Sequence, residues 1–239
     1  MEPSKIIGVI GGMGAAASHL FYGMVTEMTA AEKDQDHLRL LLYSDASMPD
    51  RTGAILKEDY ETVEAQLLDD AKLLEQAGCQ AICITCNTAH FFADRIKDRL
   101  SIPILHMLDL TTARIQRVHP GGKVAILATD GTVKTKIYQN RLSQVGLKPY
   151  LLPADYQKGV MAEIYDRVKA GKPHDSQFWK DLDKHLHEEG CDAAILGCTE
   201  LSVIKKNGQL PAYYVDPMKI LAAEAIRFSG RQVKGDQEE

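Results

Sequence analysis

No apolar run in this chain reaches the roughly 18 residues that a membrane-crossing helix needs, and no cluster of lysine and arginine marks a nucleic-acid surface. One early lysine and a short apolar stretch precede Gly11, too little for the apolar core of a secretory signal. Low-complexity segments are absent as well. These absences argue against membrane and nucleic-acid partners and make the cytoplasm the expected location. The five cysteines are then expected to be reduced thiols rather than a disulfide framework. What is there is a chain of 239 residues, 45% hydrophobic, with a formal net charge of −5. That length supports a sizeable core and lies near the point at which cores divide, so two lobes of about 110 residues fit.

The organising stretch is Ala81-Ile82-Cys83-Ile84-Thr85-Cys86-Asn87-Thr88-Ala89-His90, an apolar run that stops at a thiol followed by polar residues. It recurs: Gly78, Cys79, Ala81 and Cys86 match Gly190, Cys191, Ala193 and Cys198 at a single offset of nearly half the chain. A second echo aligns Lys5 onward with Lys123 onward, so a strand, a turn and a helix open each half. Short apolar runs bounded by glycine and polar residues are the pattern of strands in a parallel sheet covered on both faces. The predicted fold is α/β, with two similar lobes of mostly parallel strands related by a pseudo-twofold axis. The active site is expected between the lobes, at the carboxyl ends of the strands. The first lobe is expected to span residues 1–112 and be completed by 211–228, the second to span 113–210, and 229–239 to be a frayed tail.

Along the first half, the pattern predicts strands at 5–10, 38–43, 81–86 and 102–107, with helices at 15–30, 58–76, 87–100 and 109–118. The polar segment 44–55 reads as a loop that leaves Arg51 near the cleft mouth, and Leu73 counts among the apolar face of the 58–76 helix. Asn87 and Thr88 read as N-caps. In the second half, strands are predicted at 123–128, 147–152, 193–198 and 211–216, with helices at 134–146, 157–169, 177–189 and 217–228; the last is expected to cross back onto the first lobe.

Gly12-x-Gly14-x-x-Ala17, with Asp45 after the next strand, matches the dinucleotide fingerprint, whose plainer counterpart is a tight strand-to-helix turn. Cys83-x-x-Cys86 fits a redox pair, but residues three apart on a strand point to opposite faces; a zinc site from Cys79, Cys83 and Cys86 fails for the same reason. Cys79, Cys83 and Cys191 read as small core residues. Cys86 and Cys198 differ, because each sits where a strand hands over to a helix, whose N-terminus favours a thiolate. Two such thiols in matching positions suggest acid–base work on opposite faces of one planar intermediate.

Gly11-Gly12-Met13-Gly14, Asp34-Gln35-Asp36-His37, Pro49-Asp50-Arg51-Thr52, Cys86-Asn87-Thr88-Ala89-His90, Ile104-Leu105-His106 and Gly197-Cys198-Thr199-Glu200-Leu201 together resemble the aspartate racemase branch of the Asp/Glu racemase superfamily. Ala15 departs from it, standing where many relatives carry proline. The resemblance implies a cofactor-independent, metal-free enzyme, usually a homodimer, that interconverts L- and D-aspartate, with glutamate as the other acidic candidate. Cys86 and Cys198 would be the two acid–base residues. Asn87, Thr88, Thr199 and the Ala89 N–H would hold the α-carboxylate, with Met13, Thr129 and Thr132 as further substrate contacts. Arg51 and Lys169 would meet the distal carboxylate. Three other readings stay open at this level: a diacid isomerase or decarboxylase of the same fold, a non-catalytic two-lobed amino-acid-binding protein, and a dinucleotide enzyme.

Overall fold

The computed structural model describes residues 4–206 and 210–236. The chain forms two compact units: one contains residues 1–50, 60–107 and 218–239, the other residues 51–59 and 108–217. Among the described residues, no helix is long and apolar enough to cross a membrane.

In the first unit, β1 (Ile6–Gly11) leads into α1 (Ala15–Met28), then β2 (Arg39–Ser44). Here the chain departs from expectation: α2 (Arg51–Lys57) is a helix where a loop was predicted, and it belongs to the second unit. Pro49 and Gly53 read as loop formers, yet proline is compatible with the approach to a helix and one glycine costs a helix only about 1 kcal/mol. Next come α3 (Glu61–Gln76), β3 (Ala81–Ile84) and α4 (His90–Ile96), then α5 (Met107–Val118), which lies in the second unit from Leu108 onward. The sheet is parallel throughout, in the order β2-β1-β3. The strand predicted at 102–107 is reduced to a parallel bridge between Ile104 and Ile82, because Met107 already opens α5. Leu73 is 46% exposed, so it lies off the buried face that Leu67, Leu68, Ala71 and Leu74 form.

The second unit repeats the plan with β4 (Lys123–Ala128), α6 (Asp130–Lys134), α7 (Ile137–Gln144), β5 (Lys148–Leu151), α8 (Ala154–Ala162), α9 (Ser176–Glu188), β6 (Ala193–Gly197), α10 (Thr199–Lys206) and β7 (Tyr214–Val215). The helix predicted at 134–146 is broken at Lys136, which adopts a left-handed φ of 56°. All four strands run parallel in the order β5-β4-β6-β7. In both sheets the strand opening the half has neighbours on both sides, and one of them is the strand that a thiol follows. The duplicated pattern is therefore a duplicated topology. Residues 211–215, expected to complete the first lobe, instead place β7 against β6 in the second unit. The last helix, α11 (Pro217–Phe228), lies in the first unit from Met218 onward.

The tail is not frayed through residue 236. Val233 is buried and bridges Thr29, the Ala30 N–H bonds the Gln232 carbonyl at 2.9 Å, and Arg227 pairs with Asp236. Polar composition suggested fraying, but the backbone of this segment finds partners at the end of α1. Residues 237–239 lie outside the described residues.

Asp70 on α3 is a cost built into this unit. It is 6% exposed, and burial, then the charges of Asp45 and Asp69, push its carboxyl up to about 6. A carboxyl whose folded-state pKa is raised binds protons more tightly when folded. The contribution of Asp70 to stability is therefore most favourable below the unfolded value near 4 and is lost as pH rises through about 6. Asp70→Asn is expected to raise unfolding free energy at pH 8 by about 1–2 kcal/mol, with little gain at pH 4. Urea denaturation at both pH values checks this.

Candidate active site

The first unit holds one of the two thiols of interest. β3 ends at Ile84, and Cys86 follows two residues later, 7% exposed, with Asn87, Thr88, Ala89 and His90 all buried behind it. The N-cap position of α4 is Ala89, not Asn87 or Thr88 as expected. It receives no side-chain bond; the His90 and Phe91 N–H groups instead bond the main-chain carbonyls of Asn87 and Thr88 at 3.1 and 3.2 Å. The turn is thus tightened by its own backbone, which takes up the donors that capping side chains would have used. The Ala89 N–H has no acceptor among the described residues, so it remains available to an anion.

The glycine turn sits in this same unit. Gly12 has φ +86°, and a Cβ there would lie 2.2 Å from the Asp45 backbone carbonyl. The close approach of the chain at Asp45 accounts for a glycine at this turn. Asp45, the would-be ribose acid, accepts from the Ser47 N–H and hydroxyl at 2.8 and 2.6 Å and from Gln66 at 2.5 Å, and the Ser47 hydroxyl leads in holding its carboxyl below the usual range. Ser18 completes the turn by accepting from the Gly12 N–H at 2.9 Å and bonding the Thr85 hydroxyl at 3.2 Å. The turn is accordingly tied to the strand end that precedes Cys86. Met13 lies buried within it.

The second unit holds the other thiol at the matching strand end. Cys198 follows β6 directly, 7% exposed, and α10 begins at Thr199. The Cys198 thiol donates to Glu200 Oε2 at 2.8 Å, and Glu200 Oε1 lies 3.6 Å from Lys169 Nζ. Glu200 is 4% exposed, so this is a thiol–carboxylate–ammonium chain with its middle member withdrawn from water. Low dielectric strengthens such a chain and makes each unpaired member costly. The Lys169 ammonium is directed to the thiol's own partner and lies 4.9 Å over the Tyr165 ring. Lys169 is carried there by a π-helical segment, Glu163–Val168, that continues α8. The buried Glu163 anchors it by accepting from Trp179 Nε1 at 2.9 Å and pairing with Arg167 at 3.1 Å.

Arg51 and Thr52 join this same unit on α2. Arg51 is 8% exposed, so it is a buried helical residue and not a loop residue at the surface. Thr52 donates to the Thr129 hydroxyl at 3.2 Å, and Thr129 caps α6 by accepting from the Thr132 N–H at 3.3 Å. Gly131 permits this packing, since a Cβ there would lie 2.9 Å from Thr52 Cα. The structure therefore groups Met13, Cys86, Asn87, Thr88 and Ala89 in one unit, and Arg51, Thr129, Thr132, Lys169, Cys198 and Thr199 in the other.

Sequence reasoning gave no role to Glu200 or His90, although both stand inside the quoted motifs. The signals were their spacings: two residues after one thiol and four after the other. The remaining cysteines behave as core. Burial pushes the Cys83 thiol far above its usual range, raises Cys79, and moves Cys191 up to about 11. None of the three is poised to ionise near neutral pH.

The Asp/Glu/hydantoin racemase family model matches residues 10–225. The chain is similar to an aspartate racemase of Picrophilus torridus, with 33% identity, 96% of each chain covered and a TM-score of 0.81. It is similar along 92% of its length to the broad-specificity amino-acid racemase RacX of Bacillus subtilis, at 27% identity over 96% of that protein. A glutamate racemase of Bacillus anthracis shares the fold at 18% identity and a TM-score of 0.68, covering 92% of this chain and 79% of that one. With two parallel sheets of one topology, a buried thiol at the end of the matching strand in each, and a family match over most of its length, the chain belongs to the Asp/Glu/hydantoin racemase family.

Proposed function

We propose that this amino-acid racemase interconverts L- and D-aspartate by moving a proton at Cα between two cysteines, without a cofactor. The observation that carries the reading is the matched placement of Cys86 and Cys198 after the corresponding strands β3 and β6. A thiolate on one face takes the α-proton, and the C–H electron pair is left on the α-carbon and its carboxylate. The thiol on the other face then gives its proton to that carbon, yielding the opposite enantiomer. The first sulfur ends protonated and the second ionised, which readies the enzyme for the reverse reaction. This requires both sulfurs to reach one α-carbon.

An α-C–H beside a carboxylate is a weak acid, so positioning and charge neutralisation must supply most of the rate. Proton transfer by each placed group is worth ~10²–10⁴-fold. In this reading the Ala89 N–H, Asn87, Thr88 and Thr199 neutralise the α-carboxylate, with Met13, Thr129 and Thr132 lining the site. Glu200 takes the Cys198 proton when that cysteine must act as base, and Lys169 balances the carboxylate. Arg51 is the cation assigned to the distal carboxylate, which it can grip with two N–H groups. Lys169 shares its charge between Glu200 and that same carboxylate. A homodimer acting in the cytoplasm goes with this reading.

The test is a panel of L- and D-amino acids assayed for loss of chirality with no added cofactor. Aspartate is expected to racemise fastest, glutamate next, and neutral amino acids at least ~10-fold more slowly, the least that one lost charge-assisted contact costs. Equal rates for neutral and acidic amino acids would contradict the assignment of Arg51.

A further inference from the structure

In the first unit, one imidazole bonds a backbone group at each edge of its ring. In a continuous helical turn the Cys86 carbonyl would receive the N–H four residues on, that of His90. That N–H goes instead to the Asn87 carbonyl at 3.1 Å. The His90 ring takes over, with Nδ1 2.8 Å from the Cys86 oxygen. At the other edge of the ring, the N–H of Met107, the first residue of α5, lies 3.2 Å from Nε2. An amide N–H only donates, so Nε2 is the unprotonated nitrogen and the proton resides on Nδ1, from which it is donated to the Cys86 carbonyl. His90 is 0% exposed, and the His106 ring abuts it edge to face at 4.6 Å, so the imidazole is held in this orientation.

We propose that His90, as its neutral Nδ1–H tautomer, is a positioning residue for Cys86. It sets the peptide plane that follows the thiol and, with it, the turn that presents the Ala89 N–H. The proposal rests on the racemase reading. The Cys86 carbonyl is bonded to the carbon bearing the thiol side chain. Releasing it lets that peptide rotate, and the sulfur and the turn amides move together. His90 also ties the turn to Met107, so the peptide after the thiol is fixed to a second point of its unit, 17 residues away from His90. A misplacement of ~1 Å costs on the order of 10²-fold in rate.

His90→Phe removes both ring contacts and keeps a planar ring, and is expected to lower kcat/KM by ~10²-fold. His90→Gln keeps one donor and one acceptor and is expected to recover part of that loss. Enantiomers are equal in free energy, so any variant loses kcat/KM equally in the two directions, and rate alone does not locate the fault. Isotope effects do. With Cα-deuterated L- and D-aspartate, both His90 variants are expected to show a larger effect for the enantiomer deprotonated by Cys86 and a smaller one for the other. Glu200→Gln, on the other thiol, should shift the pair in the opposite sense. A merely structural role predicts a lower active fraction with both isotope effects at their wild-type values, and that result would overturn the proposal. If His90→Phe does not fold, His90→Gln decides it alone. Wild-type protein that exchanges no α-proton would overturn the racemase reading itself, and the His90 proposal with it.

Discussion

Cys86→Ala and Cys198→Ala are each expected to lower racemisation by ~10³-fold and to leave only a non-inverting α-proton exchange on one enantiomer, far slower than wild-type racemisation. With Cys86 gone, Cys198 can still take a proton from its own face and return one to that face, so the α-proton is lost to solvent without inversion. Cys198→Ala leaves the mirror reaction. Following the α-proton of L- and of D-aspartate in D2O by NMR should therefore show each variant exchanging a different enantiomer, which assigns the thiols to their faces. A single variant that still racemises near the wild-type rate would mean that one sulfur does both transfers, or neither.

The second large effect is expected at Glu200, where glutamine should lower kcat by ~10²-fold. In the structure this carboxylate accepts the Cys198 thiol proton at 2.8 Å and is itself 4% exposed. An amide of the same size keeps the volume but removes the carboxylate that accepts from the Cys198 thiol. Lys169, 3.6 Å from Glu200, at the same time loses its anionic partner. Glu200→Asp retains the charge one methylene short and should recover part of the rate. If the glutamine variant turns over at the wild-type rate with unchanged isotope effects, the bond from Cys198 to Glu200 merely holds the thiol in place.

The parts of the fold that were legible in the sequence are those whose chemistry is local. β1, β3, β4 and β6 are runs of apolar residues between glycine and polar punctuation, and burial on both faces writes itself into such runs. The duplication could be read because it repeats residue types at fixed spacing. What could not be read depends on partners distant in sequence. Arg51 lies among Pro49, Asp50 and Gly53, which look like a loop, and its burial comes from α2 packing with the Thr129–Thr132 turn of the second unit. The strand expected at 102–107 shrinks to one bridge because α5 opens at Met107, and His90 bonds both the Met107 N–H and the Cys86 carbonyl, an arrangement that spans 17 residues. Polar composition misjudged the tail, whose backbone pairs with the end of α1.

The candidate site follows the same division. Cys86 and Cys198 announced themselves through their shared position after a strand, and the neighbouring Asn87, Thr88 and Thr199 through their polarity. Glu200 was visible as a residue but not as a partner, since whether its carboxylate turns toward Cys198 or away is a matter of rotamer. Lys169 reaches Glu200 only because the helix before it widens into a π-turn anchored by Glu163 and Trp179. Such widened turns cluster at functional sites, and nothing in the local sequence marks this one.

The central claim is that one sulfur removes the α-proton and a different sulfur replaces it. Its most direct measurement is wild-type racemisation of L-aspartate in D2O, sampled at early conversion by mass spectrometry of the separated enantiomers. Two monoprotic bases predict D-aspartate carrying one deuterium at Cα, with the recovered L-aspartate still fully protonated there. Deuterium entering recovered L-aspartate as fast as D-aspartate forms, or D-aspartate that keeps the original proton, would contradict the account.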